Sequence, residues 1–160
     1  MKIKPRISFF LGFIGCVLLL SIGAYLQFVE ELEPCPLCIS QRLAILAVGL
    51  LFLLAALHNR GHKVYATLIG LAVLVGASIS IRHIWLQHLP PEEVPECGPG
   101  LAYVFQNFPL AETIKLMLSG TGDCAKIDWT LFGLSIPELT LMAFLGLGGL
   151  ALSVFYVEKR

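Results

Sequence analysis

Four long apolar segments dominate the sequence, and each is long enough to cross a lipid bilayer as a helix. They are Ile7–Val29, Ile39–Leu57, Val64–Ile81 and Leu139–Val157, and Arg42 is the single charged residue within them. A helix needs about 20 apolar residues to span roughly 30 Å of hydrocarbon. Backbone groups in lipid must be hydrogen-bonded within their own segment. We therefore expect an all-α membrane protein, a four-helix bundle in a single domain (1–160), with helices at about 7–29, 39–57, 64–84 and 139–157.

The overall composition supports lipid as the solvent of this chain. The sequence is 57% hydrophobic and 14% charged, whereas a soluble domain is about 45–50% apolar and about 25% charged. Its 11 basic and 11 acidic side chains form no basic stripe, which argues against nucleic acid as a partner. The first apolar run follows basic residues as a signal peptide would, but it is too long for one. We therefore expect a retained helix.

Basic residues are concentrated at one end of the predicted bundle. Seven of the 11 lie near the chain ends or in the turn between the second and third segments. The positive-inside rule assigns both termini and this turn to the cytoplasmic side. The acidic residues fall mostly on the outer side, which agrees with this orientation. The seven basic residues are Lys2, Lys4, Arg6, Arg60, Lys63, Lys159 and Arg160.

Two outer loops are expected, at about 30–38 and 88–136. The second is long for a compact domain, and loops of that length usually carry function. Within it, Leu110, Ile114 and Met117 recur at helical spacing, which predicts a short amphipathic helix. Such a helix would lie on the membrane surface or pack against the bundle ends, and the sequence favours neither.

Four of the five cysteines fall in these outer loops, two in each loop. An oxidising compartment permits disulfides, so each loop can contain a pair. The fifth, Cys16, lies in the middle of the first segment, where we expect an inert buried thiol. The outer cysteines are Cys35, Cys38, Cys97 and Cys124.

Cys35 and Cys38 form a C-x-x-C motif at the start of the second apolar segment. Exposed amides at a helix N-terminus stabilise a thiolate, which favours Cys38 as the reactive group. Arg42 lies one turn further on the same helical face, where its charge would favour the thiolate as well. An interfacial anchor is the other explanation of an arginine here. The pair also lies at the lipid boundary, within reach of a lipid-soluble acceptor.

For the C-x-x-C alone, a structural disulfide or half of a metal site is an alternative. Structural Cys₄ zinc sites usually take two close pairs of ligands, but Cys97 and Cys124 lie far apart in a flexible loop. We therefore expect no metal. Thiol–disulfide exchange suits two pairs of different exposure, because a thiolate attacks one disulfide and leaves a new one behind. The pair in the long loop, Cys97 and Cys124, would meet a protein partner. The pair at the membrane, Cys35 and Cys38, would reduce a small acceptor.

These features together resemble the DsbB family of bacterial disulfide-bond oxidases, over nearly the whole chain. The order of four helices, C-x-x-C with Arg42 and two later cysteines carries the resemblance. Pro36 is a departure, because other residues occur between the reactive cysteines of relatives. The local motifs are Pro34-Cys35-Pro36-Leu37-Cys38 with Gln41-Arg42, Gly120-Thr121-Gly122-Asp123-Cys124, and Leu131-Phe132-Gly133-Leu134-Ser135-Ile136-Pro137.

The resemblance implies a protein-dithiol:quinone oxidoreductase in the bacterial inner membrane, with its redox loops in the periplasm. A reduced DsbA-type thioredoxin-fold partner would present its thiolate to Cys97. Cys124 would then engage Cys35, and Cys38 would be left as a thiolate. The implied redox-active disulfides are Cys35–Cys38 and Cys97–Cys124.

The implied electron acceptor is ubiquinone or menaquinone from the membrane pool. Arg42 matches the quinone-site arginine of the family. His83 aligns with a histidine near the quinone in relatives, although an interfacial histidine at a helix end is the other explanation.

Two rival functions remain open from the sequence. A quinone oxidoreductase of the vitamin K epoxide reductase type also uses a membrane C-x-x-C and loop cysteines, but there the loop pair precedes the C-x-x-C. The second rival is a four-helix scaffold without enzymatic activity, whose outer loop is stapled by disulfides. In that protein the thiols would never cycle, and Arg42 would be an anchor.

Overall fold

The computed structural model describes residues 5–98 and 101–158. It confirms the predicted all-α class, with four helices long and apolar enough to cross a membrane. Two shorter helices lie in the second outer loop. In chain order the helices are α1 Pro5–Phe28, α2 Pro36–His58, α3 His62–Gln87, α4 Leu101–Asn107, α5 Leu110–Ser119 and α6 Ile136–Glu158.

The four long helices pack into one bundle, with the most extensive contacts between α3 and α6, α1 and α2, and α2 and α3. Its core contains Phe9, Phe52 and Phe144, all fully buried. A Cβ atom on Gly76 of α3 would overlap the Phe144 ring of α6, so these helices approach closely. Many leucines on the outer faces stay exposed, as expected where lipid is the solvent.

The short turn between α2 and α3 lies at the end of the bundle opposite Cys35. Arg6, at the start of α1, and Arg60 and Lys63 of this turn share that end. Lys2, Lys4, Lys159 and Arg160, on which the predicted orientation also depends, lie outside the described residues.

The predicted amphipathic helix is α5, and it packs against the outer end of α2. Thr113 and Met117 face the bundle, and the hydroxyl of Ser40 donates to the Met117 carbonyl oxygen at 3.0 Å. Leu110 and Ile114 are exposed on its other side. Of the three residues predicted to form one apolar face, only Met117 is therefore buried against the bundle, while Leu110 and Ile114 are exposed.

Two elements of the second loop were not predicted, the helix α4 and a small hairpin. The hairpin pairs Thr130–Leu131 (β1) with Leu134–Ser135 (β2) in antiparallel register. It ends directly at α6, where the backbone N–H and hydroxyl of Ser135 both donate to the Glu138 carboxylate, at 2.6 and 3.0 Å. This capping interaction fixes the point at which the loop re-enters the bundle.

Candidate functional site

Cys35 and Cys38 lie together at the outer end of α2. Cys35 is the N-cap residue, and its sulfur accepts a hydrogen bond from the Cys38 amide at 3.4 Å. Pro36 at the first helical position suits this start, because no intrahelical partner exists there for an N–H. The Cys35 thiol donates to Cys38 Sγ at 3.2 Å. Cys38 is thus the acceptor of the pair, which favours it as the sulfur that carries negative charge.

The second loop brings a third thiol into this cluster. A 3₁₀ turn at Gly122–Ala125 places Cys124, fully buried, beside Leu37 and Leu86 and against Cys35. A hydrogen bond from Cys35 lowers the pKa of Cys124 to about 6, although burial acts in the opposite direction. The hydrogen bonds to Cys124 and Cys38, together with burial, raise the pKa of Cys35. Three thiols from two loops therefore meet, as the resemblance to DsbB implied.

His83 of α3 lies against the same cluster. It is 2% exposed, with its Nε2 3.7 Å from Cys35 Sγ. Its Nδ1 is 3.4 Å from Nε2 of Gln41, which is also 2% exposed. His83 is therefore held between Gln41 of α2 and the Cys35 sulfur.

Arg42 is bound to α1 on the other side of the cluster. Its Nη2 donates to the Gly23 carbonyl oxygen at 2.8 Å, and its Nη1 donates to the Gln27 side chain. A Cβ atom on Gly23 would lie 3.1 Å from Arg42 Nε, so a glycine leaves room for the guanidinium. These bonds occupy only part of the five-donor guanidinium.

A cavity of about 380 Å³ opens beside these residues. Helices α1, α2, α3 and α6 all contribute to its wall, together with the segment after Cys124. Its lining is mostly apolar and includes Leu19, Ile22, Ile45 and Leu139. Its polar lining includes Cys35, Cys38, Gln41, Arg42 and His83, together with charged residues of the outer loops, Glu33, Asp123, Lys126 and Asp128.

Cys97 is exposed and lies apart from the buried cluster. The chain around it runs beside the Cys124 segment, where Gly122 N–H donates to the Glu96 carbonyl oxygen at 3.1 Å. Asp123 raises the pKa of the Cys97 thiol by hydrogen bonding and by charge. The Cys97–Cys124 pairing stays a prediction, because all five cysteines carry free thiols here.

Metal binding also has a structural basis at this site. Cys35 Sγ, Cys38 Sγ and a ring nitrogen of His83 all lie within 4.8 Å of one another. Two thiolates and an imidazole suit a thiophilic cation. The Cys₄ site weighed from the sequence would also need Cys97, which is not part of this group.

Comparison with known proteins decides the family. The family model described as Disulfide bond formation protein DsbB matches residues 5–154. The chain belongs to the DsbB family. A Disulfide bond formation protein B from Methylococcus capsulatus is 58% identical, covering 98% of each chain. One from Nitrosococcus oceani is 54% identical over 95% of this chain and 92% of its own, and one from Acinetobacter baumannii is 43% identical over 91% and 87%.

Membership of the DsbB family gives the molecule a role in disulfide bond formation, as a membrane protein with disulfide-forming oxidoreductase activity.

The fifth cysteine, Cys16, is not part of the site. It is buried in the bundle core beside Gly49. No role was predicted for Gln41, Gln27 or Asp123, which contact the predicted site residues His83, Arg42 and Cys97, respectively. Gln27 and Gln41 carried a signal, because polar side chains within apolar segments are costly and usually functional.

Proposed function

We propose that this chain is a membrane thiol oxidase that reoxidises a DsbA-type thioredoxin-fold dithiol and passes the electrons to a quinone. The observation that carries this proposal is the meeting of three thiols, Cys35, Cys38 and Cys124, of which Cys35 and Cys38 also line the cavity. Two cysteines suffice to staple a loop, whereas three adjacent sulfurs allow a disulfide to move from one pair to another.

The relay follows from the exposure of each sulfur. A partner thiolate attacks exposed Cys97 of a Cys97–Cys124 disulfide, and the bonding electron pair leaves on Cys124, where the backbone of Leu37 and Thr121 can hydrogen-bond the thiolate. Cys124 then attacks Cys35 of the Cys35–Cys38 disulfide. The electron pair is left on Cys38, beside the cavity. The partner's second thiol releases it from Cys97, so the partner loses two electrons and two protons in total.

The cavity is suited to a quinone head group. Its volume falls within the range of about 300–1,000 Å³ that is usual for small-molecule sites, which are mostly apolar with a few placed polar groups. Arg42 retains donors for a carbonyl oxygen, and His83 and Gln41 add further polar atoms. A bound quinone would supply a two-electron, two-proton acceptor. Ubiquinone and menaquinone both present such a ring.

The proposed location is the bacterial inner membrane, with both termini cytoplasmic and the thiol cluster on the periplasmic side. Two observations support it. Seven of the 11 basic residues are predicted on the side away from the outer-loop cysteines, and three of them, Arg6, Arg60 and Lys63, lie at that end of the described bundle. An oxidising periplasm is also the compartment in which disulfides persist.

The test is quinone reduction by the purified full chain in detergent, with a metal chelator present to keep the Cys35–Cys38–His83 group free. A reduced thioredoxin-fold dithiol is the donor, and the absorbance of ubiquinone or menaquinone is followed. We expect turnover with the wild type, no turnover with Cys38→Ala, and normal turnover with Cys16→Ala as the matched cysteine control. Failure of the wild type to reduce either quinone, or equal rates for Cys38→Ala, would contradict the proposal.

A further inference from the structure

Gln41 is an unusual residue for its position. It lies in the second turn of a membrane helix and is 2% exposed, with its side chain directed at His83. A primary amide is costly to bury in an apolar segment unless it is hydrogen-bonded. The partner it has is the Nδ1 atom of His83, at 3.4 Å.

The contact between Gln41 and His83 determines which nitrogen of the His83 imidazole carries the proton. Amide Nε2 of Gln41 is a donor, so the Nδ1 atom that faces it must accept. A neutral imidazole has one N–H, which is then on Nε2. This is the atom 3.7 Å from Cys35 Sγ, and the ring also hydrogen-bonds the backbone of Cys124, which lies against the same sulfur.

We propose that Gln41 is a positioning residue that fixes His83 as a hydrogen-bond donor toward the Cys35 sulfur. The inference deepens the proposed function and rests on it, because it assigns a purpose to His83 within the thiol relay. A neutral donor serves this purpose in a membrane without the cost of burying a second cation in the cavity that Arg42 also lines.

The His83 N–H faces Cys35, the sulfur that takes part in more than one disulfide during the relay. Cys35 is bonded to Cys38 before attack by Cys124 and to Cys124 after it. When the Cys97 thiolate attacks Cys124 of the Cys35–Cys124 bond, the Cys97–Cys124 disulfide re-forms and the bonding electron pair stays on Cys35. The His83 N–H then stabilises the Cys35 thiolate until Cys35 forms its next bond to Cys38, a step in which the quinone of the proposed function accepts the two electrons. No proton needs to leave the imidazole in this step.

The first test reads the tautomer directly, independently of any quinone. The full chain is labelled with ¹⁵N-histidine, and the His83 signals are assigned by their loss in His83→Phe. We expect Nε2 protonated and Nδ1 bare in the wild type. In Gln41→Glu, recorded at a pH where the new carboxyl is ionised, the carboxylate can only accept, so Nδ1 should gain a proton. A bare Nε2 in the wild type, or an unchanged tautomer in Gln41→Glu, would overturn the proposal.

The second test measures the pre-steady-state rate of quinone reduction by the reduced protein. Gln41→Leu should slow it about tenfold, the effect of losing one hydrogen bond to a charged group. In a His83→Phe background the same substitution should have no further effect, because the two residues act as one unit. Gln106→Leu, at an exposed glutamine of α4, is the matched control.

The outcomes of the two tests separate the two proposals. Additive losses from Gln41→Leu and His83→Phe would show that Gln41 acts through packing alone and would reject the positioning role. An inactive wild type would reject quinone reduction, while the ¹⁵N tautomer would still decide the relation between Gln41 and His83. Thermal unfolding of each variant identifies any rate loss that results from misfolding.

Discussion

Cys97 and Cys124 belong to the same loop but lie in opposite environments. Cys124 is fully buried against Cys35, and the hydrogen bond from that thiol lowers its pKa to about 6. Cys97 is exposed, and the neighbouring Asp123 carboxylate raises its pKa. One sulfur is thus prepared as a thiolate toward the membrane, and the other is kept as a thiol toward solvent.

This difference gives the proposed relay a direction. Thiolates are the attacking species in disulfide exchange, and low-pKa thiols are the better leaving groups. A released Cys97 is kept mainly as a thiol beside Asp123, so its attack on Cys124, which re-forms the Cys97–Cys124 disulfide, is slower than the transfer to Cys35. Exposure selects Cys97 for the protein partner, and burial against Cys35 selects Cys124 for the membrane pair.

The largest expected effect is the loss of disulfide exchange between the loop pair, Cys97 and Cys124, and the membrane pair, Cys35 and Cys38. Cys124→Ser should reduce turnover with a thioredoxin-fold dithiol by at least about 100-fold, since the sulfur that links the loop to Cys35 is missing. Turnover with a small dithiol should persist, because such a donor can reach Cys35–Cys38 directly. Equal losses with both donors would show that Cys124 supports the fold of the cavity and does not carry the disulfide.

A second prediction concerns Arg42, which lines the cavity next to the membrane pair Cys35 and Cys38. Arg42→Met should raise the KM for quinone about 30-fold, which corresponds to about 2 kcal/mol for a charged hydrogen bond. The KM for the protein dithiol should hardly change. Arg82→Met is the control, because Arg82 contacts Trp85 and Ser119 on the outer side of α3. A larger effect on the dithiol than on the quinone would place Arg42 in the partner site.

A third prediction tests how the two cysteine segments are held together. A Cβ atom on Gly122 would overlap the carbonyl oxygen of Pro95, so Gly122→Ala should separate the segments. Overpacking of this kind costs about 1–3 kcal/mol. The equilibrium constant of the Cys97–Cys124 disulfide, titrated against glutathione, should fall about tenfold. Gly70→Ala, where a Cβ meets open space, should leave it unchanged.

Much of this fold was predictable because lipid imposes strict conditions on a sequence. Apolar length alone located the four spanning helices, since no other backbone arrangement satisfies their hydrogen bonds in a bilayer. The C-x-x-C at the start of α2 and its relation to Arg42 followed from helical spacing. The placement of Cys124 against Cys35 was expected through resemblance, not from the residues themselves.

What the sequence left open depends on contacts between distant segments. Nothing local shows that Gln41 faces His83, because the two lie on different helices whose rotation is set by packing. Asp123 affects Cys97 across a loop whose path depends on the bond from Gly122 to Glu96. The division of the α5 face, with Met117 buried and Ile114 exposed, likewise depends on how the helix rests against α2.

The smallest expected effect concerns Cys97, the solvent-exposed sulfur of the loop pair, and the charged groups around it. In the reduced protein, brief alkylation followed by peptide mapping reports the reactivity of the exposed Cys97 against pH. Asp123→Asn removes the group that raises the Cys97 pKa, so the profile should shift to lower pH, with about two- to fivefold faster labelling near neutrality.

Lys126→Gln should act with the opposite sign, because the Lys126 cation lowers the Cys97 pKa. Its removal should therefore shift the labelling profile to higher pH. Asp128→Asn is the matched carboxylate control, since Asp128 does not act on Cys97, and it should leave the rate nearly unchanged. Shifts of the same sign for Asp123→Asn and Lys126→Gln would mean that loop structure, not local charge, controls Cys97. The contrast between the two sulfurs would then rest on burial alone.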